Sequence, residues 1–329
     1  MVSGYFDALT KEIKNFSFED PIRTIYIGGG TPSFVDEKYI VSILNILPTA
    51  EEITIEMNPG TVSEKKLTAY QQAGINRVSL GLQATQNSIL KDIGRIHTKE
   101  EFEEAFFLCR KQGFHNINVD LMHGLPNQSL SDFQESIDYL ISLNPEHISC
   151  YSLILHDTIF QNLPSEEEER SMYYYAKETL KKNGYHHYEI SNFAREGKES
   201  KHNLVYWNQE EYIGFGAGAS SYIDGKRFTN VPNLEAYIDK INGGNQSYVI
   251  EEIQEEESKI KEYMILKLRL IQGIDITEMN QKFHINVLER FKNEFEKLQK
   301  QDLIQIDSHI YLTDKGLDLA NIVWEELVK

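Results

Sequence analysis

The spacing of hydrophobic residues along the first 190 residues switches repeatedly between a strand period and a helix period. Short apolar or β-branched runs, such as "TIYI" and "EITIEM", each precede a longer segment whose apolar residues recur at helical spacing. About six such strands alternate with helices, and the last is "HHYEIS". This alternation predicts an α/β fold with a parallel sheet. Unusual residues cluster in the loops after the strands, which favours a TIM-like barrel over the alternative, a doubly wound sheet.

Capping residues mark the ends of several predicted helices. Ser63 and Thr98 stand immediately before helical patterns, where a side-chain oxygen can accept from the first free N–H groups. Gly74 and Gly113 stand where two of the patterns end. These residues therefore mark the predicted starts and ends of two helices.

The pattern changes twice in the second half of the chain. Residues 193–244 are rich in Gly, Tyr and polar residues and predict an irregular segment across the mouth of the barrel. Residues 245–329 predict helices, a two-strand hairpin in "LIQIDSHIYLT" and a last helix, which resembles a winged-helix α+β module. The predicted division is thus a barrel over 1–192, the irregular segment, and a small C-terminal domain that serves packing or docking.

Charge and composition exclude several functions. The 329 residues are 40% hydrophobic, and the net charge of −18 argues against a nucleic-acid surface or a patch for anionic membranes. No apolar run approaches the roughly 18 residues of a membrane span, and no signal peptide is evident, so the expected location is the cytoplasm. Cys109 and Cys150, the two cysteines, lack metal-ligand spacing and are expected to be buried thiols.

The predicted strand ends carry the candidate chemistry. The first strand ends in the triple glycine of "GGGTP", which permits positive φ angles and exposes backbone N–H groups. Polar side chains stand at or just beyond the next strand ends: Glu56, Gln83, Arg95 and Asp120. Each alone fits a solvated loop end, but together they suit a small zwitterionic ligand with hydroxyl groups.

The runs "GGGTP", "IEMNPG", "GINRVSLGLQ", "GRIH" and "NVDLMHGLPNQ" closely resemble the S-adenosylmethionine (SAM) radical enzymes, in the branch of oxygen-independent coproporphyrinogen III oxidase. The resemblance implies a barrel that binds SAM and a [4Fe-4S] cluster. It assigns Gly29, Gly30 and Thr31 to the methionyl part of SAM. It further assigns Glu56 and Arg95 to its amino and carboxylate groups, and Gln83 and Asp120 to its ribose.

Two further runs, "YEISNFA" and "HNLVYW", resemble the HemW-type haem chaperones within that branch. This resemblance implies haem binding and delivery of haem to haem-dependent proteins. His202 would ligate the iron, and Tyr206 and Trp207 would pack on the macrocycle. The residues alone equally suit a loop-capping histidine and an anchoring tryptophan. The alternative function is the oxidase itself, a radical decarboxylation in porphyrin biosynthesis.

One family motif is not found in the sequence. The superfamily holds its cluster with CxxxCxxC after the first barrel strand, and the chain has only Cys109 and Cys150. The expected fold is therefore a partial (βα)6 barrel without that first strand. A shortened chain and a natural loss would both explain the difference. The cluster is expected in the full-length form, whereas this chain is expected not to cleave SAM reductively.

Overall fold

A computed structural model describes residues 1–153 and 161–328. Its strands are β1 (Thr24–Ile27), β2 (Glu52–Met57), β3 (Arg77–Gln83), β4 (Ile117–His123), β5 (His147–Ser152), β6 (His186–Glu189), β7 (Asn192–Ala194), β8 (Ser220–Ile223), β9 (Lys226–Asn230), β10 (Tyr248–Ile253), β11 (Ile274–Asp275), β12 (Ile304–Ile306) and β13 (His309–Leu312). Its longer helices are α1 (Val2–Asn15), α2 (Glu37–Leu44), α3 (Glu64–Gln72), α4 (Asn87–Asp92), α5 (Lys99–Lys111), α6 (Leu130–Leu143), α7 (Glu166–Lys182), α8 (Lys201–Trp207), α9 (Leu234–Asn242), α10 (Glu256–Lys267), α11 (Ile276–Phe283), α12 (Val287–Arg290), α13 (Lys292–Lys300), α14 (Asp314–Asp318) and α15 (Ala320–Val328).

The largest sheet is a half-barrel with the strand order β1-β2-β3-β4-β5-β7-β6. Strands β1 to β5 pair in parallel, which confirms the predicted partial TIM-like barrel. Strand β7 pairs antiparallel with both β5 and β6, so the sheet is mixed and the all-parallel prediction is wrong at its end. The two residues between β6 and β7 leave no room for a crossover helix, and the chain therefore turns back on itself.

The strands of the half-barrel have one apolar and one polar face. In β2, for example, Ile53 and Ile55 point into the main core, which the flanking helices α1 to α3 and α5 to α7 complete. The alternate residues Glu52, Thr54 and Glu56 belong to the inner face of the half-barrel. Because side chains alternate across a strand, this pattern gives the half-barrel a polar lumen.

Local side-chain bonds start the helices where the sequence predicts. The Ser63 hydroxyl accepts from the Lys66 N–H at the start of α3. Thr98 and Glu101 form a reciprocal capping box at the start of α5, with donor–acceptor distances of 3.3 and 2.8 Å. These bonds satisfy N–H groups that have no partner within the helix, and they confirm both predicted caps.

Residues 193–244 are more regular than predicted. They contain helix α8, the hairpin of β8 and β9, and helix α9, and β10 extends that hairpin to three strands. Helix α9 packs on α1 through Tyr237, whose hydroxyl donates to Glu12 at 2.6 Å. The Gly- and Tyr-rich composition reflects tight turns and aromatic packing rather than a lack of secondary structure.

Residues after 253 enclose a second core. Helices α10 to α15 pack around a three-stranded sheet in the order β11-β13-β12, with Tyr263, Phe295 and Ile310 buried in the middle. The hairpin turns at Asp307 and Ser308, as predicted, and the Asp307 carboxylate accepts from the His309 N–H at 2.8 Å. In the described part of the chain, no helix combines the length and apolar character needed to cross a membrane.

Candidate functional site

The glycine turn after β1 lies beside the carboxylate of Glu56. The Gly29 N–H donates to Glu56 Oε2 at 3.2 Å. Gly29 and Gly30 have φ angles of 84° and 65°, in the left-handed region that glycine adopts without strain. A Cβ built on either glycine has no heavy atom within 4 Å, so the turn borders open space. Thr31 follows and begins a short 3-10 turn. The strand end thus offers an accessible backbone next to a carboxylate.

Gln83, at the end of β3, is held in a strained backbone conformation. Its φ of 63° is unusual for a residue with a side chain and coincides with a bulge between β3 and β4. The side chain folds back over Gly81, where a Cβ would lie 2.4 Å from Gln83 Nε2. The buried Gln83 Oε1 has no hydrogen-bond partner among the described residues. Strain and an unpaired buried acceptor together are typical of a ligand contact.

Asp120 lies on the inner face of β4. Its Oδ1 accepts from Asn118 Nδ2 at 2.8 Å. The pKa of Asp120 is raised to about 6, chiefly by burial and also by the negative charge of Glu56, while the bond from Asn118 opposes the shift. A hydroxyl donor or a cation placed beside Asp120 would therefore lower its pKa.

The charges of three predicted residues converge on Tyr151 of β5. Burial raises the pKa of Tyr151, Asp120 and Glu56 raise it further, and Arg95 lowers it. Arg95 is exposed in the loop after α4 and makes no ion pair with any residue in the described ranges. An exposed guanidinium and two carboxylates thus face one region at the carboxyl end of the half-barrel.

These contacts bring the predicted SAM-binding residues to one end of the sheet. The unpaired Gln83 Oε1 and the open glycine turn fit a polar ligand such as SAM. A metal centre held by protein side chains does not fit here. Within 1–153 and 161–328, no group of three His, Cys, Asp or Glu side chains could hold a metal ion. Cys109 and Cys150 are both buried in the main core.

Helix α8, which carries the "HNLVYW" run, lies at the opposite end of the strands from the glycine turn. Both oxygens of Glu52, the first residue of β2, accept from its amino end: from the Lys201 N–H at 3.1 Å and the His202 N–H at 3.0 Å. The predicted position across the barrel mouth is therefore wrong for this helix. The reason is electrostatic, since a buried carboxylate at the amino end of the sheet satisfies the free N–H groups and the positive pole of the helix.

Both ring nitrogens of His202 are engaged. Nδ1 lies 2.8 Å from Thr24 Oγ1, and Nε2 lies 2.9 Å from the Tyr206 hydroxyl one helical turn later. The ring stacks on Tyr26, with centroids 4.9 Å apart and planes at 17°. Burial lowers the pKa of His202 to about 4, and the positive charge of Arg77 contributes. The imidazole is therefore neutral at physiological pH, the form that binds metal ions.

Tyr206 and Trp207 point to different surroundings. The Tyr206 ring meets His202 edge-on at 4.9 Å, whereas the Trp207 ring lies under the Arg269 guanidinium at 4.3 Å. A cavity of about 220 Å³ opens beside both residues, with Tyr212 and Tyr222 in its wall. The structure thus joins His202 and Tyr206, and it turns Trp207 towards the C-terminal helices.

Polar residues that the sequence analysis missed connect the two ends of the lumen. Asn118, which donates to Asp120, accepts from His147 Nδ1 at 2.6 Å, and the Tyr188 hydroxyl lies 2.8 Å from His147 Nε2. The same hydroxyl accepts at 3.3 Å from the Ser200 N–H, the N-cap residue of α8. The strict alternation of polar residues in "EITIE" and "NVD" is the signal that could have revealed this lining.

Acid is expected to destabilise the fold between about pH 6.5 and pH 4. Burial lowers the pKa of His123, His187 and His202 to about 4, whereas an unfolded histidine has a pKa near 6.5. As the pH falls through this window, the unfolded chain takes up protons that the folded chain excludes, so the free energy of unfolding falls. The raised pKa of Asp120 acts in the opposite direction. The raised pKa values of Glu169 and Glu189 act in the same direction as that of Asp120. At about 1.4 kcal/mol per pKa unit the histidines still outweigh these carboxyl groups, and the net loss is on the order of several kcal/mol.

Urea unfolding at pH 7 and pH 4.5 measures this difference. His202→Gln, which cannot take up a proton, should flatten the dependence relative to the unaltered chain. A free energy of unfolding that is constant or rises towards pH 4.5 contradicts the interpretation of these histidines as buried and neutral.

Comparison with known proteins supports the fold described above. The family described as the radical SAM superfamily matches residues 4–140, and the HemN C-terminal domain matches residues 255–319. The structure of coproporphyrinogen III oxidase HemN from Escherichia coli superposes with a TM-score of 0.87, over 99% of this chain and 82% of that one, at 22% identity. The fold is therefore that of a radical SAM-type protein.

Sequence relatives define the family more narrowly. The haem chaperone HemW of Lactococcus lactis is 37% identical over 343 residues, which cover 99% of this chain and 90% of the relative. The haem chaperone HemW of Bacillus subtilis is also 37% identical, over 98% of this chain and 90% of the relative. The chain belongs to the HemW family of the radical SAM superfamily.

Proposed function

We propose that this protein is a haem-binding chaperone that also binds SAM and delivers haem to haem-dependent proteins. The observation that carries the proposal is the identity of 37% to two haem chaperones, each aligned over at least 98% of the chain. The expected location remains the cytoplasm, and no nucleic acid or integral membrane segment is part of the proposed function.

SAM is proposed to bind at the carboxyl end of the half-barrel. The turn of Gly29, Gly30 and Thr31 would hold the methionyl part. Glu56 would accept from the ammonium group, and Arg95 would pair with the carboxylate. The two ribose contacts are proposed to be Gln83 and Asp120. The unpaired Gln83 Oε1 supports this placement, because a ribose hydroxyl would satisfy it.

The superfamily implies a [4Fe-4S] cluster, and we propose none on the described residues. The described residues provide no ligand set for it, and the two buried thiols have pKa values raised to about 12 by burial. Protonated thiols are poor metal ligands. We therefore assign no step to a cluster in this chain.

Haem is proposed to bind as cargo at α8. His202 Nε2 is the candidate iron ligand, because Nδ1 can keep its partner Thr24 while Nε2 exchanges Tyr206 for iron. A metal-bound histidine commonly donates its other ring N–H to an oxygen in this way. Tyr206 and Trp207 would supply aromatic surface to the macrocycle. Their divergent directions require at least one of them to reorient when haem binds.

Titration with haem tests the proposal. The chain should bind haem in a 1:1 ratio with a Soret band, and it should release that haem to an apoprotein with higher affinity, such as apomyoglobin. Calorimetry with SAM should show a second, separate binding event. A chain that binds neither ligand contradicts the proposal and favours a pure interaction protein. Turnover of coproporphyrinogen III without stoichiometric haem binding instead supports the oxidase.

A further inference from the structure

Tyr26, in the middle of β1, touches both proposed sites. Its hydroxyl donates to Glu56 Oε1 at 2.7 Å. Its ring stacks on the imidazole of His202, with a centroid distance of 4.9 Å and an angle of 17°. One side chain therefore bridges the carboxylate proposed for the SAM ammonium group and the histidine proposed for haem iron.

The Glu56 carboxylate can hold Tyr26 and a ligand together. Gly29 N–H occupies Oε2, and the Tyr26 hydroxyl occupies Oε1. An ionised carboxylate has about four acceptor positions, so one on each oxygen stays available to an ammonium group. A bound ammonium would fix the carboxylate in place, and the short bond from Tyr26 would fix the tyrosine with it.

The orientation of Tyr26 in turn affects His202. The His202 ring is restrained at its edge by Thr24 and on one face by the Tyr26 ring. Iron coordination requires a defined direction of the Nε2 lone pair. A ligand that binds to an already ordered ring loses less conformational entropy on binding, which gives positive coupling without a large structural change.

We propose that Tyr26 is a positioning residue that couples the two sites, so that SAM bound at Glu56 strengthens haem binding at His202. The inference rests on the proposed function, because it requires that both ligands bind. It adds a residue that the strand-end motif and the "HNLVYW" run leave out. It also gives the sign of the coupling: each ligand strengthens the binding of the other.

The experiment compares haem dissociation constants with and without saturating SAM, by Soret titration of the full chain. In the unaltered chain, SAM should lower the haem dissociation constant by a factor within the roughly 5- to 150-fold range of typical coupling between sites. In Tyr26→Phe, which keeps the ring against His202 but removes the bond to Glu56, this factor should fall to near one.

Tyr70→Phe is the matched control. Tyr70 is fully buried, and its hydroxyl has no hydrogen-bond partner among the described residues, so the coupling factor should not change.

Calorimetry with SAM, with and without haem, gives a second measurement, since binding coupling is reciprocal and the two factors must agree. Equal haem affinity with and without SAM in the unaltered chain overturns the coupling and leaves the proposed function intact. The coupling is also overturned if haem binds more weakly in the presence of SAM. A Tyr26→Phe variant that keeps the full coupling factor overturns it as well. Failure of the unaltered chain to bind either ligand overturns the proposed function, and the coupling with it.

Discussion

Replacing His202 with alanine is expected to reduce haem affinity by more than about 100-fold. Loss of an outer-shell partner weakens a metal site roughly 10- to 100-fold, and loss of the ligand itself should exceed that. The imidazole is neutral and partly buried, and Thr24 holds Nδ1, so Nε2 is directed away from the sheet towards Tyr206. The measurement is the Soret titration, in which the band of the His202→Ala variant should weaken and shift.

Two further variants test whether the loss of haem affinity is specific to the His202 side chain. His186→Ala removes a histidine of β6 that pairs with Glu199 at 2.5 Å, and its haem titration should match that of the unaltered chain. Thr24→Val removes only the partner of Nδ1 and should give an intermediate loss. Thermal unfolding of each variant shows whether the fold is retained. Normal haem binding by His202→Ala contradicts the ligand assignment, and a loss in His186→Ala would move that assignment to β6.

The strand-end site was predictable because its residues follow local rules. A strand that runs into "GGG" must expose backbone, and residues just after parallel strands must meet at one edge of the sheet. Glu56 and Gly29 are 27 positions apart, yet they bond directly because β1 and β2 are neighbours in register. The strained φ of Gln83 was not predictable, since it depends on a bulge against β4.

The position of α8 was not predictable from local patterns. Glu52 lies about 150 positions before the helix that it caps, and no spacing rule links them. The direction of β7 depends likewise on a two-residue turn whose effect appears only in the assembled sheet. The sequence indicates which residues carry chemistry, whereas long-range charge and pairing decide at which end of the half-barrel they lie.

The polar lumen physically connects the two ends of the half-barrel, one at the glycine turn and the other at α8. Arg77 is only 2% exposed, yet its charge lowers the pKa values of His147 and His202, after burial as the larger cause. Hydrogen bonds and aromatic contacts fill the space between Glu56 and α8 that apolar side chains occupy in an ordinary barrel core. Buried hydrogen bonds in such a network polarise and strengthen one another, which is consistent with the proposed coupling.

Gly273→Ala is expected to destabilise the C-terminal core by about 2–5 kcal/mol, the combined effect of backbone strain and steric overlap. Gly273 precedes β11 and has a φ of 70°. A Cβ there would lie 2.1 Å from the Ile310 carbonyl oxygen of β13, which is backbone and cannot rotate away. Relief of the overlap would separate β11 from β13 and open the sheet on which the surrounding helices pack. Urea unfolding measures the loss.

Gly197→Ala separates the effect of backbone strain from that of steric overlap. Gly197 has nearly the same φ, 71°, but a Cβ there meets no heavy atom within 4 Å. This control should therefore lose only the roughly 1–2 kcal/mol of left-handed strain. Equal losses in the two variants would show that β11 and β13 are not closely paired in solution. A much larger loss in Gly273→Ala, with haem binding preserved, would show that the half-barrel and α8 hold their ligand without an intact C-terminal core.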